Sequence, residues 1–149
     1  MIKHSIRTLL GLGVLLSCLS CEDKEAAMPT LSAEQTRNVV LGKWKIQKVN
    51  YQICRQGNCN TSGYTGSTQD YFEFRTDSAF LYRSTPGAVK QPEKFKAAYT
   101  KPGAFVLTHL FWSATYNIKE SRQDKLVLEC SFAGADPYAI FTDTYYLYR

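Results

Sequence analysis

The apolar positions of this chain change their period twice. Thr8 to Ser17 is a continuous apolar run, T-L-L-G-L-G-V-L-L-S, behind a basic head of Lys3, His4 and Arg7. Residues 22–30 are polar and small, include Pro29, and read as a tether. Ser32 then precedes a short helical stretch with Gln35 three residues on, the spacing of a capping box. The helix is expected to run to about Val40 and to stop at Gly42. So short a helix must be held by packing, because isolated helices below about 12 residues are marginal in water.

From Lys43 the period becomes two, the period of a strand. Within Lys43 to Ile53, Trp44 and Ile46 point one way and Val49, Tyr51 and Ile53 the other. That change of parity predicts a bulge around Gln47-Lys48, or a twisted strand seen on both faces. Residues 54–69 are rich in Gly, Asn, Thr and Ser and read as a long surface loop. Tyr71 to Arg75 and Ala79 to Arg83 predict a hairpin across Thr76-Asp77-Ser78. Residues 84–104 hold Pro86, Pro92 and Pro102, with strand pairing expected only in Lys94 to Tyr99. Phe105-Val106-Leu107 is a short strand or a buried turn. Phe111 to Lys119 alternates, with Trp112, Ala114, Tyr116 and Ile118 on one face. Lys125 to Phe132 and Phe141 to Tyr148 are the last strands, with a break at Ala133 to Pro137. No helix long enough for a parallel crossover appears. The fold class is therefore all-β and antiparallel, a barrel or a sandwich. An up-and-down barrel suits aromatic strands best because closure leaves no exposed edge.

Residues 1–21 have the layout of a secretory signal. The apolar run is shorter than the roughly 20 residues of a membrane span. Its end resembles the signals of bacterial lipoproteins, in which a cysteine just after the apolar run is acylated and becomes the new N-terminus. Leu15-Leu16-Ser17-Cys18 matches the lipobox, with leucine three before the cysteine and a small residue just before it. Cys18-Leu19-Ser20-Cys21 keeps the small residue but has cysteine where leucine is usual. Cleavage there leaves Glu22-Asp23-Lys24-Glu25 directly after the anchor. Both Cys18 and Cys21 are candidates, and the lipobox favours Cys18. The resemblance implies a protein of the bacterial cell envelope, held to the outer membrane by an N-terminal acyl anchor, on its periplasmic or its outer face. The acidic cluster is either a solvated tether or similar to the tag by which some Gram-negative groups export lipoproteins to the cell surface. The layout is then a signal at 1–21, a tether at 22–30 and one domain at 31–149.

Charge and cysteines narrow the function. The chain has 18 basic and 13 acidic residues; setting aside Lys3 and Arg7 with the signal lowers the formal charge from +5 to +3. The basic residues form no block, so nucleic acid is not a partner on this reading. An address outside the inner membrane permits disulfides. Cys54 and Cys59 enclose the turn-forming Arg55-Gln56-Gly57-Asn58 and are expected to be bridged, while Cys130 is expected to be a buried free thiol. A metal site needs His and Cys at close spacing, which the domain lacks. Its single histidine, His109, has no nucleophile or second catalytic group that can be named beside it. No phosphate loop and no nucleophile elbow occurs. The chain is read as a non-enzyme that calls for no cofactor.

Gly42-Lys43-Trp44, the helix before it, the Tyr71-Phe72-Glu73-Phe74 hairpin with its Thr76-Asp77-Ser78 turn, and the closing Tyr145 to Arg149 together resemble the lipocalin-like barrels of small bacterial lipoproteins. The resemblance spans about residues 31 to 149. It implies an up-and-down barrel preceded by a short helix, with Trp44 plugging the closed end and Arg149 lying over it. A barrel of eight strands can hold one small ligand. Phe72, Phe74, Phe80, Tyr82, Trp112 and Tyr116 are the candidates to line an interior for an apolar ligand. Two alternatives stand beside that. In one the aromatics simply fill the barrel; in the other the protein is an interaction or inhibitor module that meets a protein partner through its stapled Cys54–Cys59 loop.

The lipid anchor is directly testable. A radioactive fatty acid is expected to label the protein, and the double change Cys18→Ala, Cys21→Ala to abolish the label and release the protein from membranes. Persistent labelling of the double mutant excludes the anchor.

Overall fold

The computed structural model describes residues 31–84 and 91–149. The expected signal, the candidate lipidation sites Cys18 and Cys21, the tether and Pro86 lie outside the described residues. Helix α1 (Ala33–Val40) begins at a reciprocal capping box. Ser32 Oγ accepts from the Gln35 amide at 3.2 Å, and Gln35 Oε1 accepts from the Ser32 amide at 2.8 Å. Thr36 and Val40 are its buried residues. Thr36 Oγ1 accepts from the Gly103 amide at 2.8 Å, so the helix is tied to a turn of the sheet. The chain then turns at Gly42, whose φ of +112° suits a residue without a Cβ.

Nine antiparallel strands follow among the described residues: β1 (Gly42–Arg55), β2 (Asn58–Thr65), β3 (Tyr71–Phe74), β4 (Ser78–Tyr82), β5 (Glu93–Lys101), β6 (Ala104–His109), β7 (Trp112–Ser121), β8 (Lys125–Ala133) and β9 (Ala139–Tyr148). From β3 to β9 each strand pairs with the next in sequence, and β9 pairs back to β1 from Lys45↔Tyr148 to Arg55↔Ala139. β2 and β3 share one place in the ring. β3 pairs with Gly42 to Lys45 of β1, and β2 with Lys48 to Arg55. The result is a closed up-and-down barrel of eight strand positions with one short helix, the architecture that the resemblance implied.

Strand β2 corrects the expected loop at 54–69. Its side chains are nearly all exposed, so no apolar alternation marks it. The main chain makes it a strand. Gln56 and Gly57 both have positive φ, as a two-residue hairpin turn needs, and Cys54 lies directly opposite Cys59. The two cysteines form a disulfide across the hairpin, and Cys130 is a buried free thiol, both as expected. The ladder continues past the end of β2: the Gly66 amide donates to the Gln47 carbonyl at 3.0 Å, and the Ile46 amide to the Asp70 carbonyl at 3.2 Å. A Cβ at position 66 would lie 1.9 Å from the Ile46 carbonyl oxygen, so only glycine fits this crossing.

The expected bulge in β1 is present, as a register shift between Ile46 and Lys48. It corrects the expected split of faces. The extra residue restores the parity, and Trp44, Ile46 and Val49 are all buried inside the barrel. Lys94 to Tyr99 lies within β5, and Phe105-Val106-Leu107 is strand, within β6.

The closed end is sealed by Trp44. Its side chain is fully buried, and its indole Nε1 donates to the Val40 carbonyl at 2.8 Å. The guanidinium of Arg149 lies 3.7 Å from the centre of a Trp44 ring, and its Nη2 donates to the Val39 carbonyl at 3.3 Å. One ring thus joins the helix end, the first strand and the last residue, and the cation–π contact contributes about 0.5–2 kcal/mol. Next to this plug, Phe72 stacks on Phe74 at 4.3 Å and Phe74 meets Phe105 edge-on at 5.5 Å. This half of the barrel is filled. Trp44→Ala is expected to destabilise the empty protein by about 3–5 kcal/mol, the range for truncating a large buried aromatic. Thermal or denaturant unfolding measures it, and an unchanged midpoint would rule out the plug.

Candidate functional site: the open mouth of the barrel

Opposite the plug, the end of β4, the start of β5 and the β6–β7 and β8–β9 connections surround a mouth. Its cavity has a volume of about 410 Å³. Leu81, Phe95, Trp112, Ala114 and Phe132 give it apolar walls, and Tyr116, Tyr145 and Cys130 lie among its deeper residues. Arg83, Glu93 and Asp143 add charge. The walls follow from parity. Ala79 and Leu81 alternate inward on β4, Arg83 continues that parity just past its end, and Phe141, Asp143, Tyr145 and Leu147 alternate on β9. The small Ala114 leaves the space that a larger residue on β7 would take.

The mouth is rimmed with apolar side chains that face water. Leu110 and Phe111 at the β6–β7 tip are 80% and 101% exposed. Trp112 is half-exposed and sits edge-on to Phe95 at 5.7 Å. Phe132 stacks on Phe141 at 5.5 Å, with Tyr138 and Ile140 exposed nearby in sequence. His109 packs edge-on against Phe95 at 5.4 Å, as an aromatic neighbour of the tip.

Burial governs the ionisable groups. It pushes the Cys130 thiol up to about 12. It also raises the Tyr116 and Tyr145 phenols well above their ordinary value, so all three are neutral at physiological pH. Burial raises the Asp143 carboxyl as well, with the charge of Arg83 opposing it. Arg83 Nη1 donates to the Tyr51 hydroxyl at 2.8 Å, and Nη2 lies 3.9 Å from Glu93 Oε1.

Asp70 fixes the position of this arginine. It is fully buried in the short excursion between β2 and β3. Oδ2 accepts from the Tyr64 hydroxyl and the Ser67 amide, both at 2.6 Å, and Oδ1 accepts from the Ser84 amide at 2.7 Å. Burial alone would raise its pKa, but these hydrogen bonds outweigh burial and hold the carboxyl at about 2. Ser84 follows Arg83, so the network pins the end of β4 where the arginine enters the mouth.

The six residues expected to line a ligand site divide three ways. Trp112 and Tyr116 line the cavity. Phe72 and Phe74 are buried in the filled half; Phe72 lies beneath the cavity, against Tyr116 at 6.1 Å and Tyr145 at 5.6 Å. Phe80 and Tyr82 are a correction, because both stand on the outer face of β4. Phe80 lies beneath Arg75 at 4.5 Å, and Tyr82 stacks on Tyr71 at 5.4 Å. Aromatic size alone selects them, whereas parity selects their neighbours Ala79, Leu81 and Arg83. Parity also points to two residues that aromatic size does not. Arg83 and Asp143 are charged side chains at inward positions of otherwise apolar registers.

No family model matches the chain, and no curated protein matches it. Among solved structures, a lipocalin-like protein from Bacteroides uniformis is similar, with 10% identity and a TM-score of 0.47 over 74% of this chain and 98% of that one. At that score the likeness adds nothing to the fold already read from the strand pairing.

Asp70→Asn is expected to lower stability at neutral pH by about 2 kcal/mol, the worth of a carboxyl held roughly two units below its ordinary 3.8. Because the folded pKa is depressed, that stability is complete above about pH 4 and fades as the pH falls through about 2. Denaturant unfolding of the two proteins across this range is expected to show the difference shrinking towards acid. A difference independent of pH would mean that the carboxylate charge is not what the network uses.

Proposed function

We propose that the protein is a lipid-anchored binding protein of the bacterial outer membrane, a non-enzyme whose barrel mouth takes up one small ligand with an apolar body. The observation that carries this reading is the cavity. Its 410 Å³ falls in the range of small-molecule sites, its walls are mostly apolar, and a few polar groups converge on it. The filled half beneath it gives the pocket a rigid floor. The signal and lipobox at the N-terminus support the envelope address.

A second reading rests on the rim. Leu110 and Phe111 project into water at a hairpin tip, as an anchor for a protein partner would. In that case the binding surface is the rim, and the cavity is incidental.

Native mass spectrometry of the protein purified from its own host separates the two. The expected result is a small-molecule adduct that is lost in Ala114→Phe, a change that fills the cavity from β7, while the variant keeps its thermal midpoint. An adduct that survives the filling, or a wild-type protein that is always empty and binds no small molecule added to it, overturns the cavity reading in favour of the rim.

A further inference from the structure

The mouth carries an excess of negative charge. Among the described residues, the ionised side chains that line it are Arg83, Glu93 and Asp143, one cation against two anions. Arg83 is already engaged, by the Tyr51 hydroxyl at 2.8 Å and by Glu93 at 3.9 Å. Asp143 is different. Its side chain has no hydrogen-bond or ion-pair partner among the described residues, and the charge acting on it there is that of Arg83. Its other neighbours in the cavity lining, Tyr116, Tyr145 and Cys130, are neutral. A partly buried carboxylate without a donor is costly, and a ligand that brings a positively charged donor offsets that cost. The surrounding wall is of the right kind. The rings of Phe95, Trp112 and Phe132 line the same cavity, and aromatic faces attract cations, most strongly where water is excluded. An anionic ligand would instead meet the net negative charge and an arginine already in use.

We propose that the mouth selects a small organic cation, an amine or quaternary ammonium with an apolar body, whose charged nitrogen sits beside Asp143 and against the aromatic wall of Phe95, Trp112 and Phe132. The proposal rests on the binding reading above and specifies the ligand class. Glu93, 3.9 Å from Arg83, adds negative charge at the entrance. Binding is expected to weaken as acid protonates Asp143, a protonation that burial favours and the charge of Arg83 opposes; Glu93 and the neutral Tyr116, Tyr145 and Cys130 line the same cavity.

Three matched probes test it: phenylbutylammonium, phenylbutanol and phenylbutanoate, titrated into the protein at neutral pH by calorimetry or by chemical-shift changes of mouth residues. The ammonium is expected to bind at least about tenfold more tightly than the alcohol, the size of one well-placed charge contact, and the carboxylate to bind most weakly. Asp143→Asn is expected to erase the preference for the ammonium while leaving the alcohol within about twofold. Trp112→Leu, at the half-exposed rim where the fold does not depend on the ring, is expected to weaken the ammonium more than the alcohol; it carries the test if Asp143→Asn does not fold. An alcohol that binds as tightly as the ammonium overturns the cation proposal and leaves the binding reading standing. Failure of all three probes to bind the folded protein overturns both.

Discussion

Strand β1 must serve two neighbours at once, and the rest of the molecule follows from that. It pairs with β9 along ten residues on one side, and with β2 and β3 in succession on the other. This double pairing closes the sheet. Closure turns the period-two alternation of every strand into a division between inside and outside. The bulge at Ile46–Lys48 and the glycine at position 66 lie at the crossing point, where β1 changes partner. The bulge keeps Val49 in register with Trp44 and Ile46, and the glycine lets the partner's main chain come close enough to hold the ladder.

Closure divides the interior into two regimes. At the plugged end, Trp44, Phe72, Phe74 and Phe105 are buried against one another, and the Trp44 indole N–H donates to the Val40 carbonyl. At the mouth the side chains stop short of one another. Charge is tolerated there because solvent, or a ligand, reaches it. Arg83 and Asp143 would be costly one layer deeper, among the phenylalanines. Burial sets the ionisation states here: the Cys130 thiol, deep in the cavity, is pushed up to about 12, and burial raises the partly open Asp143 too, with the charge of Arg83 opposing it.

The Asp70 network links these regimes. A single buried carboxylate organises the excursion between β2 and β3 and the end of β4, through Tyr64, Ser67 and Ser84. It is a structural anion, fully hydrogen-bonded, whereas Asp143 at the mouth has no donor among the described residues. Two aspartates in one barrel therefore have opposite circumstances, and only the one at the mouth is free to meet a ligand.

Much of this was legible before any coordinates. The capping box at Ser32 and Gln35, the turn at Gly42, the alternation of β3, β4, β7, β8 and β9, and the disulfide all depend on neighbours within a few residues, and such local constraints are written in order and spacing. Trp44 and Arg149 were legible only through the family resemblance, because nothing in a linear pattern brings the first strand against the last residue. Strand β2 was not legible: its side chains face water on both sides, and its only credential is a main-chain ladder to β1. Phe80 and Tyr82 were misplaced because aromatic size was read without strand parity, although the pattern Ala79-x-Leu81-x-Arg83 held the correct answer. The cavity was beyond any linear reading. Its existence depends on whether side chains from five strands meet across the barrel axis, and that is decided by ring closure and shear, which sum over the whole sheet and belong to no single segment.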